Sequence, residues 1–278
     1  MIYQPVGEGE MMAAAAQMLV CLPDNAEGCV VREYAQYLRG VLGGRICYEP
    51  MLSKEDVGCI RQASTNCDLI VFGEPKQSWL ETLLTGRPCD QAVANSSTSF
   101  LLARRPRWPI RHILLILRIE ETDEAAAAWL AHLVQPGKTA VTILPLVPSL
   151  PAMYSLGNRV QTGLDVLLSP NTTSGNYLRY VAQQLKHWQI DGNLHLRQGE
   201  PDRQIRDEVA EGSYDLVLIG AEPHGRFYRR LLGELVTPLL RWIDRPLLIA
   251  RPPLLNTKKA MVQRRREKKL SKEIYHGT

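Results

Sequence analysis

The sequence predicts an α/β fold whose basic element is a strand, a helix and a second, parallel strand. This element is clearest in residues 215–253. Residues 215–219 are a short, nearly continuous apolar run, as in a strand buried on both faces, and Gly220 follows where such a strand turns. Apolar residues then recur at helical spacing between positions 232 and 243, and another apolar strand follows at 246–250. Two buried strands joined by a helix imply a right-handed parallel crossover.

The same element occurs a second time, 147 positions earlier in the chain. A shift of 147 without any gap aligns Asp68 with Asp215, Leu69 with Leu216, Gly73 with Gly220, Gly86 with Gly233, Ala103 with Ala250, Arg104 with Arg251 and Pro106 with Pro253. Agreement of both glycines and both flanking strands at one offset indicates an internal duplication. The alternative is a chance similarity between two strand–helix–strand elements.

A length of 278 residues allows two domains of ordinary size, each with its own core. A Pro/Arg segment at 104–109 marks the boundary, so we expect an abbreviated domain at 1–107, a complete domain at 108–253 and a basic tail at 254–278. The tail has eight Lys/Arg and two acidic residues, which gives it a net charge of +6. Because the whole chain has a net charge of +4, the remaining residues carry −2. The folded body therefore has no field that would attract nucleic acid or acidic membranes.

The first domain is predicted to have four strands, one long helix after the first strand, a second helix that begins at Ser53 and a loop and helical region before the fourth strand. The strands are expected at 17–22, 45–49, 68–72 and 100–103, and the long helix is expected to bury Val30, Val31, Tyr34, Leu38, Val41 and Leu42. Asp24 or Asn25 is a suitable N-cap for this long helix, and Gly43 is a suitable end. One strand and one helix are missing between Tyr48 and Ser53, when this domain is compared with the second.

The second domain is predicted to be complete. Its strands are expected at 112–117, 140–144, 193–197, 215–219 and 246–250, with helices at 123–134, from 172 or 173, after Pro201 and at 231–243. A long connection at 145–170 is of the kind that is often functional. The order predicts a five-stranded parallel sheet with helices on both faces.

The cysteines and the N-terminal apolar run indicate the compartment. The six cysteines are Cys21, Cys29, Cys47, Cys59, Cys67 and Cys89, and no two form a Cys-x-x-Cys pair. We therefore expect buried free thiols, no metal site and a reducing compartment. The apolar run at 11–22 is too short to span a bilayer and follows no basic region, so we expect a cytoplasmic protein without a transmembrane segment.

With these elements placed, the chain resembles the universal stress protein family in its tandem form, with two Rossmann-like domains. The resemblance is carried by the strand–helix order, by Gly199-x-Pro201 before a helix, by the spacing from Gly220 to Gly233 and by the closing strand at 246–251. It covers residues 111–253 and, more loosely, 17–106. In that family the loop after strand four reads Gly-x-x-Gly, nine residues, then Gly-Ser or Gly-Thr. Its glycines and the following helix N-terminus suit the binding of phosphates.

The second domain departs from that pattern at the residues that would hold a nucleotide. Pro223 replaces the middle glycine, Glu234 replaces the Ser or Thr, and Arg118 stands where the family has an acidic residue near the adenosine. Two anionic groups at ~4 Å repel by about 1–4 kcal/mol. Glu234 would therefore lower the affinity for phosphate by roughly one to three orders of magnitude. The alternative role of Glu234 is stabilisation of a helix N-terminus.

A second alignment places His224, Gly225 and Arg226 on the His-Gly-Arg that is common in the family. It keeps Gly220 and Gly233 but shortens the loop between them by two residues. Of the six histidines, only His224 falls on the predicted loop. Both alignments leave Glu234 beside the predicted phosphates.

The first domain keeps different parts of the same predicted pocket. Gly73 and Gly86 are retained, and Lys76 and Arg87 occupy the other two motif positions. Asp24 places a carboxylate near the end of the first strand. Lys76 and Arg87 would attract a phosphate, and the alternative is that both are solvated surface cations.

We therefore expect a non-enzymatic stress-response or regulatory protein in which nucleotide binding is weak or lost. The sequence shows no catalytic pair and no metal-ligand spacing, and ATP is the one candidate cofactor. One alternative is an ATP-binding protein or slow ATPase that uses the first-domain pocket. Another is an adaptor whose basic tail contacts nucleic acid or membrane.

The resemblance also implies how the two domains meet. In the family the closing strand commonly mediates pairing, so residues 100–104 and 247–251 are expected to pair within one chain. A homodimer and an unidentified regulatory partner are further expectations of this resemblance.

Overall fold

The computed structural model describes residues 16–23, 26–51, 67–73, 98–118, 123–146, 173–197, 199–221 and 233–251. These residues form nine strands and five helices. In chain order they are β1 (Gln17–Pro23), α1 (Glu27–Leu42), β2 (Arg45–Met51), β3 (Leu69–Phe72), β4 (Ser99–Leu102), β5 (His112–Leu117), α2 (Asp123–Leu133), β6 (Ala140–Pro145), α3 (Thr173–His187), β7 (Gly192–Leu194), α4 (Pro201–Glu211), β8 (Leu216–Gly220), α5 (Gly233–Trp242) and β9 (Leu247–Ala250).

The nine strands form one continuous sheet in the order β2-β1-β3-β4-β9-β8-β5-β6-β7. The N-terminal half contributes β1 to β4 and the C-terminal half contributes β5 to β9. Neighbouring strands are parallel within each half. The halves meet at β4 and β9, which pair antiparallel with Leu101 opposite Leu248, and we call this pair the seam. The predicted α/β fold with parallel sheets is confirmed, and the two predicted closing strands do pair.

Helices cover both faces of the sheet, and this explains the continuous apolar runs in the strands. In β5, Ile113 and Leu115 pack in the core under α1, α2 and α3. The alternate residues Leu114 and Ile116 pack in the opposite core, under α4 and α5. A strand between two such layers has no solvent-facing side, so it carries no polar alternation.

Residues related by the 147-residue offset occupy equivalent places in the two halves. Ile70 of β3 lies opposite Phe100 of β4, and the corresponding Val217 of β8 lies opposite Leu247 of β9. The register of the two closing strand pairs is therefore the same.

Asp68 and Asp215, which the offset aligns, make equivalent hydrogen bonds in the two halves. The Asp68 carboxylate accepts the backbone N–H of Gln17 at 2.9 Å, at the start of β1. The Asp215 carboxylate accepts the N–H groups of Arg111 and His112 at 2.8 and 3.1 Å, at the start of β5. Each aspartate thus ties the strand that follows it to the first strand of its own half.

The described part of α1 begins after Ala26, which already has helical angles, with φ −58° and ψ −26°, and makes no side-chain cap. Asp24 and Asn25, the predicted N-cap residues, lie outside the described residues, so the structure does not test that prediction. The predicted end is confirmed, because Gly43 takes a left-handed φ of 66° and its N–H reaches the carbonyl of Arg39.

The predicted buried face of α1 is only partly right. Val31, Tyr34 and Leu38 are buried as predicted, whereas Val30 is 40% exposed. Val41 and Leu42 are half-buried. The buried face of α1 is therefore narrower than its apolar face in the sequence.

The third strand of the C-terminal half is shorter than predicted. β7 ends at Leu194, so His195 and Arg197 lie outside it. Both side chains instead contact α4, as described below. The other strand and helix ends differ from the prediction by one or two residues, and the predicted connection at 145–170 lies almost wholly outside the described residues.

The four described cysteines are all free, but they are not all buried. Cys21 is buried, and burial, with Glu49 and Cys67 nearby, raises the pKa of its thiol to about 12. Cys29 and Cys47 are exposed on α1 and on β2, so the prediction of buried thiols is wrong for these two.

Candidate functional site

The candidate site lies in the C-terminal half, where the order of strands reverses. β5 and β8 are neighbours, but the helix after β5 covers one face of the sheet and the helix after β8 covers the other. The order of strands therefore switches between β5 and β8, and the carboxyl ends of the two strands at such a switch point are the usual ligand position in these sheets. We call this position the C-terminal cleft.

Arg118 lies at the base of the C-terminal cleft, one residue beyond β5. Its Nη2 donates a hydrogen bond to the carbonyl oxygen of Gly220, the last residue of β8, at 2.7 Å. Arg118 is half-buried. Because its guanidinium reaches the last residue of β8, it lies across the ends of both strands. It places a fixed positive charge where the family resemblance predicts a carboxylate.

The two glycines of the predicted phosphate turn are found where the sequence places them. Gly220 ends β8, and Gly233 is the first residue of α5. Glu234 is the second residue of that helix, and its side chain lies outside the described parts of the structure. Residues His224, Gly225 and Arg226 also lie outside the described residues, so the structure does not test their predicted role.

The equivalent position in the N-terminal half is the carboxyl ends of β1 and β3, which we call the N-terminal crevice. Gly73 follows β3 directly and is buried. The remaining residues predicted for this pocket are Asp24, Lys76, Gly86 and Arg87, and all four lie outside the described residues.

A second polar cluster, which the sequence analysis missed, lies on the face of the sheet covered by α4. Glu208 of α4 is only 2% exposed, and its carboxylate accepts hydrogen bonds from Nδ1 of His195 at 2.8 Å and from Nε of Arg197 at 2.6 Å. The hydroxyl of Tyr214 donates to the same carboxylate. Arg197 also contacts the exposed Glu211. We call these residues the Glu208 cluster.

Hydrogen bonding sets the charge of the Glu208 cluster. Burial alone would raise the pKa of Glu208, but the bonds from Tyr214, Arg197 and His195 outweigh it and hold the pKa below its ordinary value. Burial and the bond to this carboxylate raise the pKa of Tyr214 to about 12. The sequence did contain a signal, because Glu208 shares the inward face of α4 with Ile205 and Val209.

The structure offers no metal centre within the residues that it describes. No group of three His, Cys, Asp or Glu side chains in these residues is arranged to hold a metal ion. None of the described helices is both long and apolar enough to cross a membrane.

These features define a class of protein: a doubly wound α/β protein with a switch point between β5 and β8 and an arginine across the ends of those two strands. The family model described as the universal stress protein family matches residues 109–251. The chain therefore belongs to the universal stress protein family, a class of stress-response proteins. A comparison with curated protein sequences gives no significant match.

Solved structures with a similar fold extend over both halves. A protein of unknown function from Pseudomonas aeruginosa has a TM-score of 0.57 at 14% identity, over 87% of this chain and 94% of its own. A putative universal stress protein from Pseudomonas aeruginosa has a TM-score of 0.57 at 15% identity, over 87% and 95%. A universal stress protein from Archaeoglobus fulgidus has a TM-score of 0.56 at 13% identity, over 86% and 97%. At these identities the similarity shows the fold alone.

Proposed function

We propose that this chain is a tandem universal stress protein that acts as a non-enzymatic, cytoplasmic regulator, and that its C-terminal cleft binds nucleotide weakly or not at all. In this proposal the two halves are pseudo-equivalent domains that pair through the seam, and the regulatory partner is a separate protein. One observation carries the proposal: the hydrogen bond between the Arg118 guanidinium and the Gly220 carbonyl.

Arg118 opposes nucleotide binding in two ways. A ligand that enters between the ends of β5 and β8 must displace the guanidinium from the carbonyl of Gly220. A hydrogen bond from a charged donor contributes about 1.5–3 kcal/mol. Its loss would lower the affinity roughly tenfold to a hundredfold. Arg118 also stands in place of the carboxylate that accompanies adenosine in the family pattern, so the base and the ribose lose a hydrogen-bond acceptor.

Calorimetric titration with Mg-ATP tests this proposal. We expect no micromolar affinity in the wild type and at least a tenfold gain in Arg118→Ala. Arg118→Asp combined with Glu234→Ser restores the family residues at both positions, and we expect it to bind more tightly than Arg118→Ala. Arg111→Ala is the matched control, since Arg111 is an exposed arginine at the opposite end of the same strand. Micromolar affinity in the wild type, or weaker binding by Arg118→Ala, would contradict the proposal.

The N-terminal crevice provides the second candidate function, an ATP-binding protein or slow ATPase. The observation in its favour is the buried Gly73 at the end of β3, the position at which a backbone can approach a phosphate. If wild-type protein binds ATP, Gly73→Val should abolish that binding and Arg118→Ala should leave it unchanged. Binding that survives Gly73→Val would exclude this crevice.

A further inference from the structure

The C-terminal end of α5 is held by a residue from the other half of the chain. The last carbonyls of a helix have no partners within the helix. Two such carbonyls, those of Leu240 and Ile243, accept hydrogen bonds from Nη1 of Arg104 at 3.2 and 2.5 Å. Arg104 lies just beyond β4, is 8% exposed, and places a positive charge at the negative end of the helix dipole.

The other helix that leaves the C-terminal cleft is also tied to β4. The indole Nε1 of Trp129, on α2, donates to the hydroxyl of Ser99 at 2.8 Å. The same hydroxyl contacts both the N–H and the carbonyl of Arg251, the residue after β9. β4 of the N-terminal half therefore holds α2 through its first residue, and it holds α5 through Arg104, two residues after its end.

α5 in turn packs against the strand that ends at the cleft. Val236 and Leu239 of α5 share one core with Val217 and Ile219 of β8. A displacement of α5 would therefore be transmitted to β8, because a close-packed core does not absorb it locally.

We propose that Arg104 is a positioning residue through which the N-terminal half fixes α5 and thereby the geometry of the C-terminal cleft. The seam then couples the two halves energetically, and the cleft is not a property of residues 109–251 alone. This proposal holds whether or not the cleft binds a nucleotide, so its test uses the protein without ligand.

Hydrogen exchange on the full chain tests the coupling. In Arg104→Met, which keeps the length but removes the donors, we expect amide exchange at least tenfold faster along the whole of α5. We also expect faster exchange at Ala221, whose N–H bonds the carbonyl of Ala250 beside the cleft. Arg241→Met is the matched control, since it removes an exposed arginine from the last turn of the same helix. Its exchange should resemble that of the wild type.

Arg104→Lys is the second variant, for use if Arg104→Met does not fold. It keeps the charge and at least one donor, so the same spread of faster exchange from α5 to Ala221 is expected at smaller amplitude. Faster exchange confined to the last turn of α5 would overturn the proposal and leave Arg104 as a local helix cap. An equal effect of Arg241→Met would also overturn it, because the charge alone would then account for the result.

Discussion

Glu208→Gln gives the sharpest test of the energetics described above. The substitution keeps the shape of the side chain but replaces one carboxylate oxygen by an NH2 group, which donates and cannot accept. The Glu208 cluster directs three donors at that carboxylate, from Tyr214, His195 and Arg197. The amide offers one acceptor oxygen instead of two, so at least one of Tyr214 and His195 must turn from donor to acceptor, around a side chain that is only 2% exposed.

The expected loss follows from the number and kind of hydrogen bonds. The bond from Arg197 loses its charged acceptor, and the bonds that Tyr214 and His195 make to a carboxylate become bonds to a neutral amide. Bonds to charged groups contribute about 1.5–3 kcal/mol and neutral ones about 0.5–1.5 kcal/mol. Removing the charge also relieves part of the desolvation cost of a buried carboxylate. We therefore expect the free energy of unfolding to fall by about 2–4 kcal/mol, which lowers Tm by roughly 3–7 °C.

Urea unfolding followed by circular dichroism at pH 7 measures this change. Glu211→Gln is the matched control, since Glu211 lies on the same helix, contacts the same arginine and has a side chain that is 69% exposed. We expect its unfolding midpoint to match that of the wild type. A loss below 1 kcal/mol in Glu208→Gln, or an equal loss in the control, would refute the assignment of this stability to the buried carboxylate.

Two further predictions follow. Because hydrogen bonds hold the pKa of Glu208 below its ordinary 4.5, its stabilising contribution is complete above that value and is lost as the pH falls through the folded-state pKa. The difference in unfolding free energy between wild type and Glu208→Gln should therefore shrink below about pH 4.5, and a constant difference down to pH 3 would be inconsistent with this. On α1, the buried hydroxyl of Tyr34 has no hydrogen-bond partner within the described structure, whereas the hydroxyl of Tyr37 accepts the N–H of Ile110 at 2.9 Å. Thermal unfolding should show that Tyr34→Phe stabilises by about 1 kcal/mol and that Tyr37→Phe destabilises by about as much; the same sign for both would show that neither hydroxyl is placed as described.

The strands of the C-terminal half were predictable because their burial is written in local sequence. β5 and β8 are apolar runs without alternation, and the structure places them in the middle of the sheet. α1 was predicted less well, because the width of its buried face depends on the strands and the helix that pack against it.

The contacts of Arg104 and Arg118 were not predictable, since they join residues that are far apart in the chain. Arg104 reaches helix carbonyls more than 130 positions away, and Arg118 reaches Gly220 across 102 positions. The sequence marks Arg118 as a departure from the family pattern, but it does not say which group the guanidinium contacts. The sequence shows that Glu208 is a charged residue on the apolar face of α4, but it does not show which residues pair with that carboxylate. The Glu208 cluster was missed for this reason.

The order of apolar and polar residues by itself determined the class of fold, the places where strands and helices form and the repeat at an offset of 147. Those features depend on the hydrophobic burial of neighbouring residues, which the chain encodes locally. The tertiary structure decided that β4 supports both α2 and α5, and it decided which carbonyls Arg104 and Arg118 reach. Long-range hydrogen bonds in a low-dielectric interior decide these questions, and their partners exist only once the sheet has been assembled.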